Sequence, residues 1–296
     1  MKVAVTGASG LVGSALTKQL VADGHEVVPV TRGKASEGAI IWNPSNGEID
    51  AGAFEGIDAV VHLAGENIAE GRWNVAKKQR IRDSRVKGTT LLSQTLAGLE
   101  NKPSVFVSAS AIGFYGDQRP EPVDEQAGVG EGFLADVCQA WEEASQPAKD
   151  AGIRTVNIRI GVVLSKDGGA LEKMLFPFKM CAGGIVGSGK QVWSWISIDD
   201  LVGAIIHAIE TDSISGPMNA TAPNASTNAE FTKSLAHVLG RPAIVPLPAF
   251  AAKIVLGEMA EALLLSSSRV LPQKLEETGY QFKHEHLEAA LRALLK

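Results

Sequence analysis

The 296-residue chain contains little cysteine, with only two cysteines in total. Cys138 and Cys181 stand far apart and lack the spacing of a metal site. The sequence therefore predicts no bound metal and no disulfide framework. The two thiols are interpreted as reduced groups that pack in the interior of a cytoplasmic protein.

The chain also lacks an excess of positive charge and a long hydrophobic run. Its net charge of −5 argues against a general binder of nucleic acid or of anionic membranes, although a local basic patch stays open. The most apolar late stretch, Ala249–Leu265, is too short and too charged to span a bilayer. No secretory signal is expected, because the chain enters a strand at once. The expected partner is a small molecule, and the oligomeric state is not predicted.

A glycine-rich turn follows the first apolar segment directly. The strand Lys2–Thr6 is succeeded by Gly7, Gly10 and Gly13 and then by a helical pattern. Glycines at this spacing let the backbone approach a pyrophosphate, which the helix N-terminus then faces. The turn is predicted to bind a dinucleotide; a purely structural turn is the alternative. The intervening residues expected to line the same site are Ser9, Leu11 and Val12.

The end of the second predicted strand, His25–Thr31, indicates which dinucleotide is bound. No carboxylate stands there to accept the ribose hydroxyls of NAD, and the first one is Glu37. Thr31 and Arg32, with Lys34 nearby, suit the 2′-phosphate of NADP instead. NADP is the predicted cofactor. The alternative is a solvated pair of cations in a loop.

Apolar runs then alternate with helical segments. Predicted strands at 59–63, 104–108 and 155–160 are separated by predicted helices at 74–99 and 133–151. This alternation predicts an α/β fold, with a Rossmann-type doubly wound parallel sheet and a smaller, mainly helical C-terminal lobe. The dinucleotide-binding domain is assigned to residues 1–164 and 190–222, and the smaller lobe to 165–189 and 223–296. Helices are expected near 226–239, 248–265 and 284–295, and Gly168–Gly169 and the glycine-rich stretch 183–189 are expected to be loops.

Several segments together resemble the extended short-chain dehydrogenase/reductase superfamily, and within it the nucleotide-sugar epimerase/dehydratase group. More particular pieces resemble an atypical epimerase family whose C-terminal segment is a domain of unknown function. The resemblance covers essentially the whole chain. It rests on the Gly7 turn, Asp58–Gly65, Val107–Ser110 with Tyr115–Gly116, Ser84–Val86, Trp141–Glu143, Arg159–Leu164, Trp195–Leu201, Arg269–Pro272 and Gly279–Tyr280.

The resemblance implies roles for residues around the cofactor. Leu63, Ala64 and Gly65 would pass under its adenosine and ribose. Arg85 replaces an asparagine that supports the cofactor side in the superfamily, so it either reaches a cofactor phosphate or is a surface charge. Val162, in the segment after a central strand, would lie near the nicotinamide.

The chain departs from the superfamily at the catalytic residues. Ser110 fits the hydroxyl expected at the end of the 104–108 strand. The superfamily's Tyr-x-x-x-Lys pair on the next helix falls on Leu134 and Cys138, which cannot exchange a proton with a substrate or supply the cation. Ala111-Ile112 also replaces the Asp-Glu pair of the dehydratases.

Other side chains are candidates for the missing chemistry. Tyr115 is the predicted proton donor; packing in the interior is the alternative. Ser110 is predicted to orient a ligand oxygen, or else to satisfy backbone at the strand end. Glu66 either faces the cleft as an acid or substrate anchor or caps the next helix. Trp193 either lines an apolar wall of the substrate cleft or packs in the core.

Two functions follow from this reading. The first is an NADP-dependent, epimerase-like oxidoreductase acting on a small polar carbonyl or sugar-like ligand. The second is an NADP-binding regulatory or scaffold protein without turnover. We also expect the stretch 183–189 to be a mobile cover over the substrate cleft, because four of its seven residues are glycine.

Overall fold

A computed structural model describes residues 1–33, 38–117 and 121–296 of the chain. The apolar runs form strands, and the longest of them are buried on both faces, as in a sheet covered on each side. The strands are β1 Lys2–Thr6, β2 Glu26–Thr31, β3 Ile40–Asn43, β4 Glu48–Ile49, β5 Ala59–His62, β6 Val105–Ala111, β7 Arg154–Ile160, β8 Val162–Ser165, β9 Val192–Trp193, β10 Trp195–Ser197, β11 Gly216–Ala220 and β12 Ser226–Thr227.

Within the described ranges, eight of these strands form the main sheet, in the order β11-β7-β6-β5-β1-β2-β3-β4. All neighbours are parallel except β3 and β4, which pair antiparallel. After β1 the chain adds β2, β3 and β4 on one side of β1, and it then adds β5, β6, β7 and β11 on the other side. The carboxyl ends of β1 and β5 therefore border the crevice in which doubly wound sheets bind ligands.

Helices cover both faces of the main sheet. The side chains of α1 and α6 share a core with β1, β5, β6 and β7, while α2 and α4 pack with β2, β3, β5 and β6 on the opposite face. The helices are α1 Leu11–Ala22, α2 Val75–Ala97, α3 Phe133–Glu143, α4 Gln146–Asp150, α5 Gly169–Lys179, α6 Ile198–Glu210, α7 Asn228–Leu239, α8 Ala249–Leu256, α9 Glu258–Ala260, α10 Gln273–Glu277 and α11 Leu287–Leu295. The fold class predicted from the sequence is confirmed.

A second core joins the later helices. Phe231 and Leu235 of α7 and Leu291 of α11 pack with Trp195 and Leu171. The strands β8, β9 and β10 of two small sheets, β8–β10 and β9–β12, contribute Leu164, Trp193 and Trp195 to this core. In the described part of the chain, no helix is long and apolar enough to cross a membrane.

The glycine-rich stretch 183–189 is tied to the chain segment before α8. Leu247 donates its N–H to the Ile185 carbonyl at 2.9 Å and accepts from the Gly187 N–H at 2.9 Å. The Val186 N–H donates to the Asn228 side chain at 2.8 Å. These bonds tie the stretch to Leu247 and to Asn228 at the start of α7, so the structure does not support the loosely held cover expected from its glycines.

Candidate functional site

The turn between β1 and α1 is built by close backbone packing. Gly7 has a φ of +70°, and the space where its side chain would lie is 3.0 Å from the Ala64 backbone nitrogen. A side chain at Gly13 would come within 2.1 Å of the Gly7 carbonyl oxygen. Both positions therefore require glycine, the first for its left-handed conformation and the second for the approach of α1 to the turn.

The N-terminus of α1 is open to an anion. Its N-cap is Gly10, which has no side chain to cap the helix, and the first turn of α1 carries no acidic residue. Ser9 and Gly10 are exposed, and Leu11 and Val12 are half-buried beside them. The unpaired N–H groups and the dipole of the helix therefore face outward, which fits the pyrophosphate of a dinucleotide.

A second wall of this crevice comes from the chain after β5. The Thr6 hydroxyl accepts hydrogen bonds from the backbone N–H groups of Leu63 and Ala64, at 3.1 and 3.2 Å. Its oxygen also lies 2.7 Å from Nδ1 of the buried His62. Burial lowers the pKa of His62 to about 3, so the ring is neutral at neutral pH. These contacts fix the turn through Gly65 beside the Gly7 turn.

The end of β2 carries the residues predicted to select NADP. Thr31 is half-buried as the last residue of β2, and Arg32 is exposed directly after it. Because β1 and β2 pair in parallel, these residues lie at the same edge of the sheet as the Gly7 turn. Lys34 and Glu37 lie outside the described residues.

Arg85 lies under the turn after β5. Its Nη1 donates to the backbone carbonyls of Glu66 and Ile81, at 3.1 Å each. The guanidinium carbon lies 4.9 Å from the centre of the Trp141 ring on α3. On the other side, a side chain at Gly65 would come within 3.4 Å of that carbon. Arg85 is thus not a solvated surface charge: it is packed between the turn and α3.

Glu66 belongs to an ion pair beside the crevice. Its carboxylate lies 2.8 Å from the Lys77 ammonium and 3.6 Å from Nε of Arg80. The hydrogen bond from Lys77 lowers the pKa of Glu66. Glu66 does not cap α2, whose N-cap is Asn74, bonded to the Lys77 N–H at 2.8 Å. An ionised Glu66 suits an anchor better than an acid that donates a proton.

A row of polar side chains crosses the carboxyl ends of three strands. Ser110 on β6 pairs with Arg159 on β7, which pairs with Asn219 on β11. Glu142 of α3 joins the first two: it accepts the Ser110 hydroxyl at 2.7 Å and binds Arg159 through both carboxylate oxygens at 2.8 Å. Ser110 and Arg159 are both buried.

The hydroxyl of Tyr115 completes the row. It donates to the Asn219 amide oxygen at 2.7 Å and accepts from Nη1 of Arg159 at 2.8 Å. The side chain is fully buried, and burial raises the pKa of Tyr115 to about 12. The structure therefore places Tyr115 in the interior, which was the alternative interpretation of this residue, and its proton donation to a ligand stays a prediction.

Leu134 and Cys138 lie one helical turn apart on α3. A side chain at Gly113, just beyond β6, would come within 3.2 Å of Leu134 and 3.8 Å of the Cys138 sulfur. Burial raises the pKa of Cys138 to about 11, so the thiol is neutral at neutral pH. No tyrosine or lysine occurs in α3.

The two remaining predicted residues lie on β8 and β9. Val162 begins β8, is half-buried and pairs with Trp195 of β10. Trp193 is buried and packs edge-to-face on Phe231, with ring centres 5.4 Å apart. Its position is that of a core residue, so a role in lining the substrate cleft is not supported.

Sequence reasoning missed the partners of Ser110. In the sequence, Glu142 stands out only as part of the segment Trp141–Glu143, and Arg159 as a charge inside a predicted strand. A charged residue in a buried strand calls for a buried counter-charge, and this was the signal available.

Comparison with known proteins identifies the class that this fold and site define. The profile of the NAD dependent epimerase/dehydratase family matches residues 3–220, and a domain of unknown function, DUF1731, matches residues 247–294. The chain belongs to the NAD dependent epimerase/dehydratase family.

Its relatives in that family include proteins of similar length. The chain is 43% identical over 290 residues to an epimerase family protein of Mycobacterium leprae, covering 98% of this chain and 94% of that one. The crystal structure of human epimerase family protein SDR39U1 with NADPH is 36% identical, covers 99% of both chains and has a TM-score of 0.91. A nucleoside-diphosphate sugar epimerase of Corynebacterium glutamicum is 39% identical with a TM-score of 0.82, covering all of this chain and 58% of that one.

Proposed function

We propose that the protein binds NADP(H) at the β1–α1 turn and acts as an oxidoreductase on a small polar carbonyl or sugar-like ligand. The observation that carries the proposal is the glycine turn. Gly13 admits no side chain because the Gly7 carbonyl lies against it, and α1 presents uncapped N–H groups beyond it. The similar human protein was crystallised with NADPH, which supports the same cofactor here.

The preference for NADP over NAD is assigned to the end of β2. Arg32 is exposed at the sheet edge that carries the glycine turn, and Thr31 beside it adds a hydroxyl. An arginine binds a phosphate monoester through two parallel hydrogen bonds, and no carboxylate stands next to it to repel the phosphate.

The chemistry is assigned to the end of β6. When bound, NADP(H) supplies hydride transfer, and Ser110 is the residue proposed to orient the ligand oxygen. Its hydroxyl donates to Glu142, which Arg159 holds in place through both carboxylate oxygens, so the Ser110 oxygen is left to accept a hydrogen bond from a hydroxyl of the ligand. Proton transfer from Tyr115 to the ligand stays a prediction, and it requires Arg159 and Asn219 to release the hydroxyl that they hold in the interior.

An NADP-binding regulatory protein without turnover is the second candidate. It is favoured by α3, which offers Leu134 and Cys138 in place of a proton donor and a cation. The two candidates differ in one measurement. NADPH oxidation, followed by absorbance with a panel of small carbonyl compounds, is expected for the oxidoreductase and is expected to fall strongly in Ser110→Ala. Tight NADPH binding with no oxidation of any compound supports the regulatory protein.

Cofactor preference is tested by calorimetric titration of the full chain with NADPH and NADH. One charge-assisted contact contributes about 1.5–3 kcal/mol, so NADPH is expected to bind at least about tenfold more tightly. Arg32→Ala is expected to remove most of this difference. The matched control is Arg241→Ala, which removes another exposed arginine, beyond α7. Equal affinities of the unmodified protein for the two cofactors would contradict the assignment.

A further inference from the structure

The helix α3, which packs against the end of β6, contributes no positively charged side chain there. Its residues facing Gly113 are Leu134 and Cys138, and the thiol of Cys138 is buried and neutral. A dinucleotide lying across the carboxyl ends of β1, β5 and β6 would therefore meet no cation from this helix. A cation for the β6 side of the crevice therefore has to come from an element other than α3.

Arg85 on α2 brings a guanidinium to this place. The group lies between Gly65, which follows β5, and Trp141 of α3, one turn beyond Cys138. The positive charge of Arg85 acts on Cys138, where it opposes the effect of burial on the thiol. Arg85 is thus a cation next to Cys138, the position at which α3 itself carries no charge.

The hydrogen bonds of Arg85 leave part of the guanidinium unused. Nη1 donates to the Glu66 and Ile81 carbonyls, which anchors the side chain to α2 and to the turn after β5. Among the described residues, no hydrogen bond or ion pair involves its Nε or Nη2. A guanidinium has five N–H donors, so an anchored arginine in this state can bind further oxygen atoms.

The strand order decides which half of a dinucleotide Arg85 can reach. The sheet runs β2-β1-β5-β6, with Arg32 after β2, the glycine turn after β1, Gly65 after β5 and Ser110 at the end of β6. Neighbouring strands lie about 4.8 Å apart. With the pyrophosphate at α1 and the 2′-phosphate at Arg32, the adenosine half covers β2 and the nicotinamide half covers β5 and β6. This placement differs from the one that the resemblance implied, in which Leu63, Ala64 and Gly65 pass under the adenosine and ribose.

We infer that Arg85 supplies from α2 the cation that α3 lacks and binds oxygen atoms of the nicotinamide mononucleotide half of NADP(H). The inference rests on the proposed binding of NADP(H). It makes Arg32 and Arg85 two anchors for opposite ends of one cofactor, the first for the 2′-phosphate and the second for the nicotinamide ribose and its phosphate.

The test compares the whole cofactor with its adenosine half. Dissociation constants of NADPH and of 2′,5′-ADP are measured by calorimetry for the full chain, Arg85→Gln, Arg85→Lys and Arg32→Ala. Arg85→Gln is expected to weaken NADPH roughly tenfold or more and to leave 2′,5′-ADP within about twofold, because the latter lacks the nicotinamide half. Arg85→Lys is expected to retain part of the affinity for NADPH. Arg32→Ala is expected to weaken both ligands.

The matched control is Arg82→Gln, an exposed arginine one turn earlier on the same helix, which is expected to change neither constant. A complementary variant adds Cys138→Lys to Arg85→Gln and is expected to recover affinity for NADPH by returning a cation to α3. Thermal unfolding shows which variants are folded.

Equal weakening of both ligands in folded Arg85→Gln or Arg85→Lys would overturn the inference, since it would make Arg85 a support for the turn alone. Unchanged binding of NADPH in those variants would overturn it as well. If the unmodified protein binds neither ligand, the proposed binding of NADP(H) itself is wrong. That result is distinct from the other two.

Discussion

At the residue scale, the ion pair of Arg159 and Glu142 beside Ser110 is the charge arrangement whose burial has to be offset by other interactions. Arg159 is almost fully buried in β7, and its guanidinium stacks over the Phe114 ring, with its carbon 3.5 Å from the ring centre. Burial alone would lower the pKa of Arg159, but the ion pair with Glu142 raises it overall. Both carboxylate oxygens of Glu142 are matched by the guanidinium fork of Arg159, which is the bidentate and stronger form of such a contact.

Removing one member of this pair is expected to destabilise the fold. Glu142→Gln leaves a buried Arg159 without a counter-charge, and breaking such pairs costs about 3–5 kcal/mol. The free energy of unfolding in urea is the measurement. The matched control, Glu143→Gln, changes the exposed neighbouring residue and is expected to stay within about 0.5 kcal/mol of the unmodified protein. A Glu142→Gln variant as stable as this control would show that the ion pair contributes little.

At the element scale, the sequence predicted the central sheet well. The five strands predicted from the sequence, near residues 2, 25, 59, 104 and 155, all lie in the main sheet. They were predictable because runs of branched apolar residues are typical of strands buried on both faces. Boundaries near glycine and proline were predicted less well. The expected helix 248–265 is divided at Gly257, which has a φ of +63°. Pro147 stands in the first turn of α4, where the expected helix 133–151 is divided.

Helix α5 and the pairing of the glycine-rich stretch are among the features that the sequence did not predict, for tertiary reasons. The helix α5 begins at Gly169, directly after Gly168, and contains Pro177, so its local signals indicate a loop. Leu171 and Phe178 nevertheless pack into the second core. The pairing of residues 183–187 with residues 245–247 cannot be predicted from the glycine-rich segment itself, because its partner lies about 60 residues away in the chain. The partners of Ser110 were missed for the same reason: Glu142 and Arg159 meet only after β7 is placed beside β6.

The pairing of the glycine-rich stretch with the segment before α8 predicts the effect of a single methyl group. A side chain at Gly184 would lie 2.0 Å from the Val245 carbonyl oxygen, so Gly184→Ala must push the two segments apart. A destabilisation of about 1–3 kcal/mol is expected, with faster hydrogen exchange at Gly187 and Leu247. Gly128→Ala is the matched control, because no atom of the described residues lies within 4 Å of a side chain placed there. Rapid exchange of these amides in the unmodified protein would instead favour the mobile cover.

At the scale of the whole molecule, each of the two tyrosines joins distant parts of the chain. Tyr115 bonds Asn219 of β11, and Tyr280, near the C-terminus, bonds the backbone carbonyl of Asp200 at the start of α6 at 3.1 Å. Asp200 also accepts the Lys283 and His284 N–H groups, at 2.7 and 3.0 Å. The C-terminal segment is therefore held to the sheet domain by buried polar groups as well as by apolar packing.

Burial raises the pKa of both tyrosines, to about 12 for Tyr115, above the value of about 10 expected in an unfolded chain. Between these values the unfolded chain releases phenolic protons that the native protein keeps. The stabilisation is therefore complete below about pH 10 and is lost as the pH rises toward 12.

Ultraviolet titration at about pH 10.5 is expected to show little phenolate in the native protein and extensive ionisation in concentrated urea. Tyr280→Phe leaves Tyr115 as the single phenol and should still titrate near 12. A native midpoint near 10 in that variant would show that the Tyr115 hydroxyl is not held between Arg159 and Asn219.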